Sequence, residues 1–133
     1  MSGYIADTSI FVAGEQRRAL GEPPDGDARI SVATLTELSA GVRRAQSDAI
    51  RALREVTYAR ARRFIALPYD ELVAERLAEL LHAAREQRRR AGAMDAIIAA
   101  TALTHDLTIW TQDDGFDVLG TLAPALRVER SGT

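Results

Sequence analysis

The stretch "AMDAIIAATALTHDLTIWTQDDGFD", residues 93–117, decides the fold class. Its first part, Met94 to His105, is rich in alanine and reads as a helix after Gly92. Its second part changes character. Leu107-Thr108-Ile109-Trp110-Thr111 joins two β-branched threonines to an aromatic and is the clearest strand in the chain. Asp95 stands in the first turn of the helix, and Asp113 follows the strand. Strands that alternate with helices in this way point to a parallel α/β sheet.

Working outward, the helix before Gly92 is capped by Asp70 and has Val73, Leu77, Leu80, Leu81 and Ala84 on its inner face, with a chain break at Leu67-Pro68 ahead of it. Ile50, Leu53, Thr57, Ala61 and Phe64 carry one helical stripe, and Leu35, Leu38 and Val42, from Thr34 onward, carry another. Ile30-Ser31-Val32 reads as a strand, preceded by a Gly- and Pro-containing loop from Arg18 to Ala28. At the start, in "GYIADTSIFVAG" (3–14), a short buried strand, Tyr4–Ala6, stops at Asp7, and apolar residues resume in a helix from about Ser9. A last strand is expected over Leu126–Glu129. The expectation is one domain over residues 1–133: a short central parallel sheet covered by helices on both faces, with no repeat and no linker.

With 133 residues, 47% apolar and 27% charged, the composition is that of an ordinary globular protein. No apolar run approaches the ~20 residues of a membrane span and no signal segment is apparent, so the expectation is a cytoplasmic protein with no membrane partner. The absence of cysteine excludes disulfides, thiolate nucleophiles and Cys-ligated zinc. A net charge of −2 gives no bulk electrostatic sign of nucleic-acid binding. The arginines are nevertheless clustered. Arg43 and Arg44, then Arg60, Arg62 and Arg63, then Arg85, Arg88, Arg89 and Arg90 form basic patches. Such runs are commonly solvated helix faces, with Arg43, Arg44, Arg88, Arg89 and Arg90 as the candidates for substrate binding.

Four acids fall at equivalent places. Asp7 and Asp113 follow strands, while Glu37 and Asp95 lie in first turns of helices. In a parallel sheet, the carboxyl ends of strands and the N-termini of the helices that follow them share one edge, where such folds build their sites. Each acid taken singly has a structural explanation. Asp7 suits an N-cap, Thr34-Leu35-Thr36-Glu37 is spaced as a capping box, Asp95 complements a helix dipole, and Asp113 and Asp114 suit a turn before Gly115. Taken together, four carboxylates on one edge repel each other and raise each other's pKa unless a cation sits among them. An all-oxygen donor set suits Mg²⁺ or Mn²⁺ rather than zinc. His82 and His105 do not fall beside these acids. Gly41, one turn after Glu37, leaves space above that carboxylate or permits close helix packing.

In order and spacing, "ADTSIF", "TELSAG", "MDAIIAATAL" and "TQDDGFD" resemble the motifs of PIN-domain ribonucleases, in particular the VapC toxins of bacterial toxin–antitoxin pairs. The resemblance covers essentially the whole chain. It implies that Asp7, Glu37, Asp95 and Asp113 are the metal-binding acids and that Ser9 and Thr111 are the hydroxyl residues that steady them. Asp114 and Asp117 leave the fourth ligand less sharply defined, with Asp117 in a supporting or turn role. It also implies magnesium-dependent endoribonuclease activity, an RNA substrate, a small VapB-type antitoxin and a homodimer.

Two rivals remain at this stage. Another Mg²⁺-dependent phosphoryl-transfer enzyme of the haloacid-dehalogenase type wants a second Asp where Ser9 stands, and a receiver domain wants a later Lys, which this chain lacks. A non-catalytic PIN-like binding module would use the acids only as caps.

Overall fold

The computed structural model describes residues 3–132. Five parallel strands form one sheet: β1 (Gly3–Ala6), β2 (Asp27–Ser31), β3 (Ile65–Leu67), β4 (Thr108–Thr111) and β5 (Val128–Arg130), in the order β3-β2-β1-β4-β5. Six helices connect them: α1 (Thr8–Glu15), α2 (Val32–Arg43), α3 (Asp48–Ala61), α4 (Glu71–Glu86), α5 (Ala93–His105) and α6 (Phe116–Leu122). None of the described helices is long and apolar enough to cross a membrane.

Strand periodicity divides the core in two. Ile5 pairs with Ile109 in register, and both face α4, α5 and α6, packing among Val73, Leu77, Ile98 and Phe116. Ala6 pairs with Trp110, and these point to the other face, against Ile10 of α1, Leu38 of α2 and Ala61 of α3. The expected α/β sandwich is therefore present, with helices on both faces. On α5 a run of small residues, Ala96, Ala99, Ala100 and Ala102, is buried at 0–1% exposure, which lets that helix lie close to the sheet and to α4.

Several local expectations are corrected. β2 begins at Asp27, inside the expected loop, and ends at Ser31, while Val32 opens α2. The Ser31 hydroxyl accepts from the Ala33 N–H (3.0 Å), so the helix starts before Thr34. The Thr34–Glu37 capping box is therefore not formed, and Glu37 lies in the second turn. Thr57 and Ala61 of α3 are buried, but Ile50 and Leu53 are 41% and 51% exposed. Phe64 lies beyond the helix and meets Phe11 edge-on at 5.4 Å. Leu81, expected on the inner face of α4, is 52% exposed. The last strand is Val128–Arg130 rather than Leu126–Glu129. β3 and α6 were not anticipated. The first is only three residues long, and the second follows a Gly- and Asp-rich segment that reads as a turn.

The segment after α1 is tied across the sheet to the C-terminal end. Gln112 Nε2 donates to the Ala19 carbonyl (2.8 Å), and the Gly21 N–H donates to Ser131 Oγ (3.0 Å). Gly132 sits at φ +76°, where a Cβ would collide with Gln112 Nε2 and with the Ala19 carbonyl.

Candidate metal centre at the carboxyl edge

The strand order fixes who meets whom. β1 is central, β2 lies on one side and β4 on the other, so chain progression reverses direction between β1 and β4. Asp7 follows β1 at that switch point. Glu37 arrives on α2 after β2, and Asp113 follows β4. α5 precedes β4 and therefore runs against the strands, which puts its N-terminus, with Asp95, at the same edge. All four acids are brought to one place.

Asp7 occupies the N-cap position of α1, but its side chain makes no capping bond. Its Oδ1 instead accepts from Ser9 Oγ at 2.6 Å. Ser9 Oγ also accepts the Gln112 N–H (2.9 Å) and stands 3.1 Å from Thr111 Oγ1. Thr111 in turn accepts the Asp113 N–H at 2.9 Å, and Asp113 Oδ1 accepts the Gly115 N–H at 3.1 Å. One chain of hydrogen bonds thus runs from Asp113 to Asp7 through the expected hydroxyl residues. Glu37 is held separately: Thr8 Oγ1 donates to its Oε1 at 2.6 Å and lies 3.2 Å from Thr34 Oγ1. Neither Thr8 nor Thr34 was singled out from sequence as a site residue.

The electrostatics are strained. Burial raises the Asp7 carboxyl to about 7. The Ser9 and Thr111 hydroxyls pull it down, and Asp95 and Asp113 push it up again. Asp95 is raised to about 6 by burial, by Asp113 and by Glu37. The raised values of Asp7 and Asp95 thus carry the influence of all four acids: Asp95 and Asp113 act on Asp7, and Asp113 and Glu37 act on Asp95. Among the described residues, the six ion pairs leave all four without a basic partner.

Gly115 marks the closest approach. A Cβ there would lie 2.7 Å from Asp95 Oδ2 and 3.4 Å from Asp113 Oδ2, so only glycine leaves these two oxygens their space. Among the described residues, no group of three or more acids or histidines stands close enough together to hold a metal ion. What fits a hard divalent cation is the chemistry of the donor set: all oxygen, anionic and without an ion-pair partner among the described residues.

Other expected residues fall elsewhere. Asp117, in the first turn of α6, faces β5, with its carboxylate 3.7 Å from Arg130, and Asp114 is exposed in the loop. Arg43 folds back on its own helix, donating to Ser39 Oγ at 2.6 Å. Arg44 instead lines a cleft of about 310 Å³ next to Glu37. Arg89 and Arg90 line a second cleft, between α4 and α5, with Leu80 and Ala96, while Arg88 is exposed in the connection between those helices. His82 is exposed and lies 3.9 Å from Glu86, and His105 is at the far end of α5 from Asp95.

Comparison with known proteins places this geometry among relatives. The model of the PIN domain family matches residues 4–122. Ribonuclease VapC4 of Mycobacterium tuberculosis is 40% identical over 116 residues, covering 84% of this chain and 87% of that protein. Ribonuclease VapC1 of Rickettsia felis is 34% identical over 113 residues, covering 82% and 84%. The crystal structure of VapBC-5, a member of the VapBC family of toxin–antitoxin systems from M. tuberculosis, superposes with a TM-score of 0.82 at 36% identity, over 97% of this chain and 96% of that one.

Proposed function

From the premise that this chain belongs to the PIN-domain family and, within it, to the VapC group, we propose that it is a metal-dependent endoribonuclease, the toxin half of a VapBC-type pair. The observation that carries the reading is the convergence of Asp7, Glu37, Asp95 and Asp113 on one edge, with no ion pair to any of them among the described residues. These four acids would hold Mg²⁺ or Mn²⁺, which when bound supplies Lewis acidity toward a phosphodiester and lowers the pKa of a water.

The remaining roles belong to the chain. Ser9 and Thr111 fix the rotamer of Asp7, Thr8 fixes Glu37, and the Gly115 N–H fixes Asp113. The site offers no covalent nucleophile. Metal-free cleavage through the RNA 2′-hydroxyl wants a His or Lys acid–base pair, and the chain has no lysine, with both histidines remote from the acids.

The reading extends to partners. A VapB-type antitoxin would neutralise the acids with an arginine, whose guanidinium fork suits carboxylates and stays charged when desolvated. A second copy would form a two-fold dimer through helix faces remote from the acids.

The test is to incubate the pure protein with cellular RNA and Mg²⁺ and to sequence the new 5′ ends. Discrete cuts, lost in EDTA and in Asp7→Asn or Asp95→Asn, are expected. Full cleavage in EDTA or in either variant would end the metal-nuclease reading. Growth arrest on expression, relieved by the product of the neighbouring gene, tests the toxin assignment.

A further inference from the structure

The cleft of about 310 Å³ beside Glu37 is walled by α1, α2 and α3. Thr8 and Glu37 line it and also belong to the acid cluster, so the cleft opens directly onto that cluster. Two guanidinium groups, Arg44 and Arg54, line it as well. Arg54 is half-buried and oriented: its Nη1 donates to the Gly41 carbonyl at 2.7 Å. Its other N–H groups, and all those of Arg44, have no partner among the described residues. Glu15, whose Oε1 accepts from Thr57 Oγ1 at 2.7 Å, and the apolar Val12 and Leu38 side chains also line it. Gly41 contributes no side chain, and a Cβ built there meets nothing within 4 Å.

This is an unusual wall for a solvated helix face. An anchored guanidinium with free donors, a second in the same cleft, two apolar side chains and a carboxylate acceptor are the four elements that a nucleotide needs. They serve, respectively, the phosphate (two cations), the sugar or base face, and an amino edge of the base. The volume lies at the low end of small-ligand pockets, which run from about 300 Å³, and suits one nucleotide rather than a helix of a partner.

We propose that this cleft is a nucleotide subsite: it seats the residue of the RNA strand adjacent to the scissile phosphate. Arg54 and Arg44 bind its phosphate, and Glu15 accepts from its base. The proposal rests on the ribonuclease reading and adds to it where the substrate lies. Arg54 is a substrate-binding residue that arginine clustering in the sequence did not pick out.

The test uses the full chain and a labelled single-stranded RNA of mixed sequence. Binding is measured with Ca²⁺ over a salt series, and cleavage kinetics with Mg²⁺. Arg54→Ala is expected to raise KM about tenfold or more with kcat much less changed. It should also flatten the salt dependence of binding by about 0.7 in log–log slope, the loss of one phosphate contact. Arg44→Ala acts in the same direction, Arg54→Lys falls between, and Arg76→Ala on the exposed side of α4 is the charge control. Glu15→Gln is expected to change the base preference at the cut site. Thermal midpoints accompany every variant, and if Arg54→Ala unfolds early, Arg44→Ala and Arg54→Lys carry the test.

Wild-type KM and salt slope in the Arg54 and Arg44 variants, with the parent chain cutting RNA, overturn the subsite and leave the nuclease standing. Variants that keep RNA binding but lose the complex with the neighbouring gene's product assign the cleft to a protein partner and overturn it too. A parent chain that neither binds nor cuts RNA overturns both readings.

Discussion

Replacing Asp7 by Asn should make the metal-free protein more stable, by an amount that depends on pH. Asp7 is 3% exposed, and burial together with Asp95 and Asp113 lifts its carboxyl from 3.8 to about 7. The raised value means that ionisation is harder in the folded state than in the unfolded chain. Below pH 4 the group is protonated in both states and contributes nothing. Between pH 4 and 7 the unfolded chain has lost the proton while the folded protein retains it, so stability falls as pH rises. Above 7 the full penalty is present, about 4 kcal/mol at ~1.4 kcal/mol per pKa unit. Asn keeps the acceptor for the Ser9 hydroxyl but remains a buried polar group, so on the order of 2–4 kcal/mol should be recovered. Urea unfolding in EDTA at a series of pH values reads this directly. The difference between variant and parent should be near zero at pH 4, grow through the window and level off above pH 7. Mg²⁺ should then narrow or reverse the order by stabilising the parent alone, about 2.7 kcal/mol at a hundredfold excess over Kd. A parent chain more stable than Asp7→Asn at pH 7.5 in EDTA, or a difference that does not change with pH, refutes the electrostatic account of the site.

Gly115→Ala keeps an allowed backbone but puts a methyl 2.7 Å from Asp95 Oδ2. Cleavage should drop at least tenfold while the unfolding midpoint moves little, because a carboxylate arm yields more easily than backbone. Asp113→Ala should abolish cleavage, whereas Asp114→Ala and Asp117→Ala should retain most of it; the opposite ranking in single-turnover assays would reassign the fourth acid. Thr8→Val removes the 2.6 Å bond to Glu37 and should lower kcat by roughly ten- to a hundredfold, matching ~1.5–3 kcal/mol for a bond to a charged group. Protons compete with cations at Asp7 and Asp95, so Mn²⁺ affinity measured by titration calorimetry should weaken as pH falls from 7 toward 6.

The meeting of the four acids at one edge is legible in sequence because Asp7 and Asp113 follow recognisable strands, Asp95 opens a recognisable helix and Glu37 lies early in another, and topology does the rest. The hydroxyls at 9 and 111 are legible only through the family pattern, since nothing local shows that residues 102 positions apart touch. Thr34-x-x-Glu37 misleads because its spacing is that of a capping box while the true cap, Ser31, lies one turn earlier. Glu37 is thereby released from a local role and taken by Thr8 of the neighbouring helix α1. β3 escapes reading because three residues carry no period, and α6 because Asp-Asp-Gly precedes it. Arg54 has no local mark at all. Its position depends on how α3 packs on α2, which sets its guanidinium against a carbonyl thirteen residues away.

The contact between Ser9 and Thr111 also has a consequence in time. The central strand β1 precedes its neighbour β4 by about a hundred residues, and the acid at 113 follows Asp7 by 106 positions. At about 5–20 residues per second, Asp7 waits on the order of ten seconds for Asp113. Throughout that interval the nascent chain has an unpaired strand edge and an incomplete set of acids. The set of four acids is completed only in the step that closes β4 onto β1.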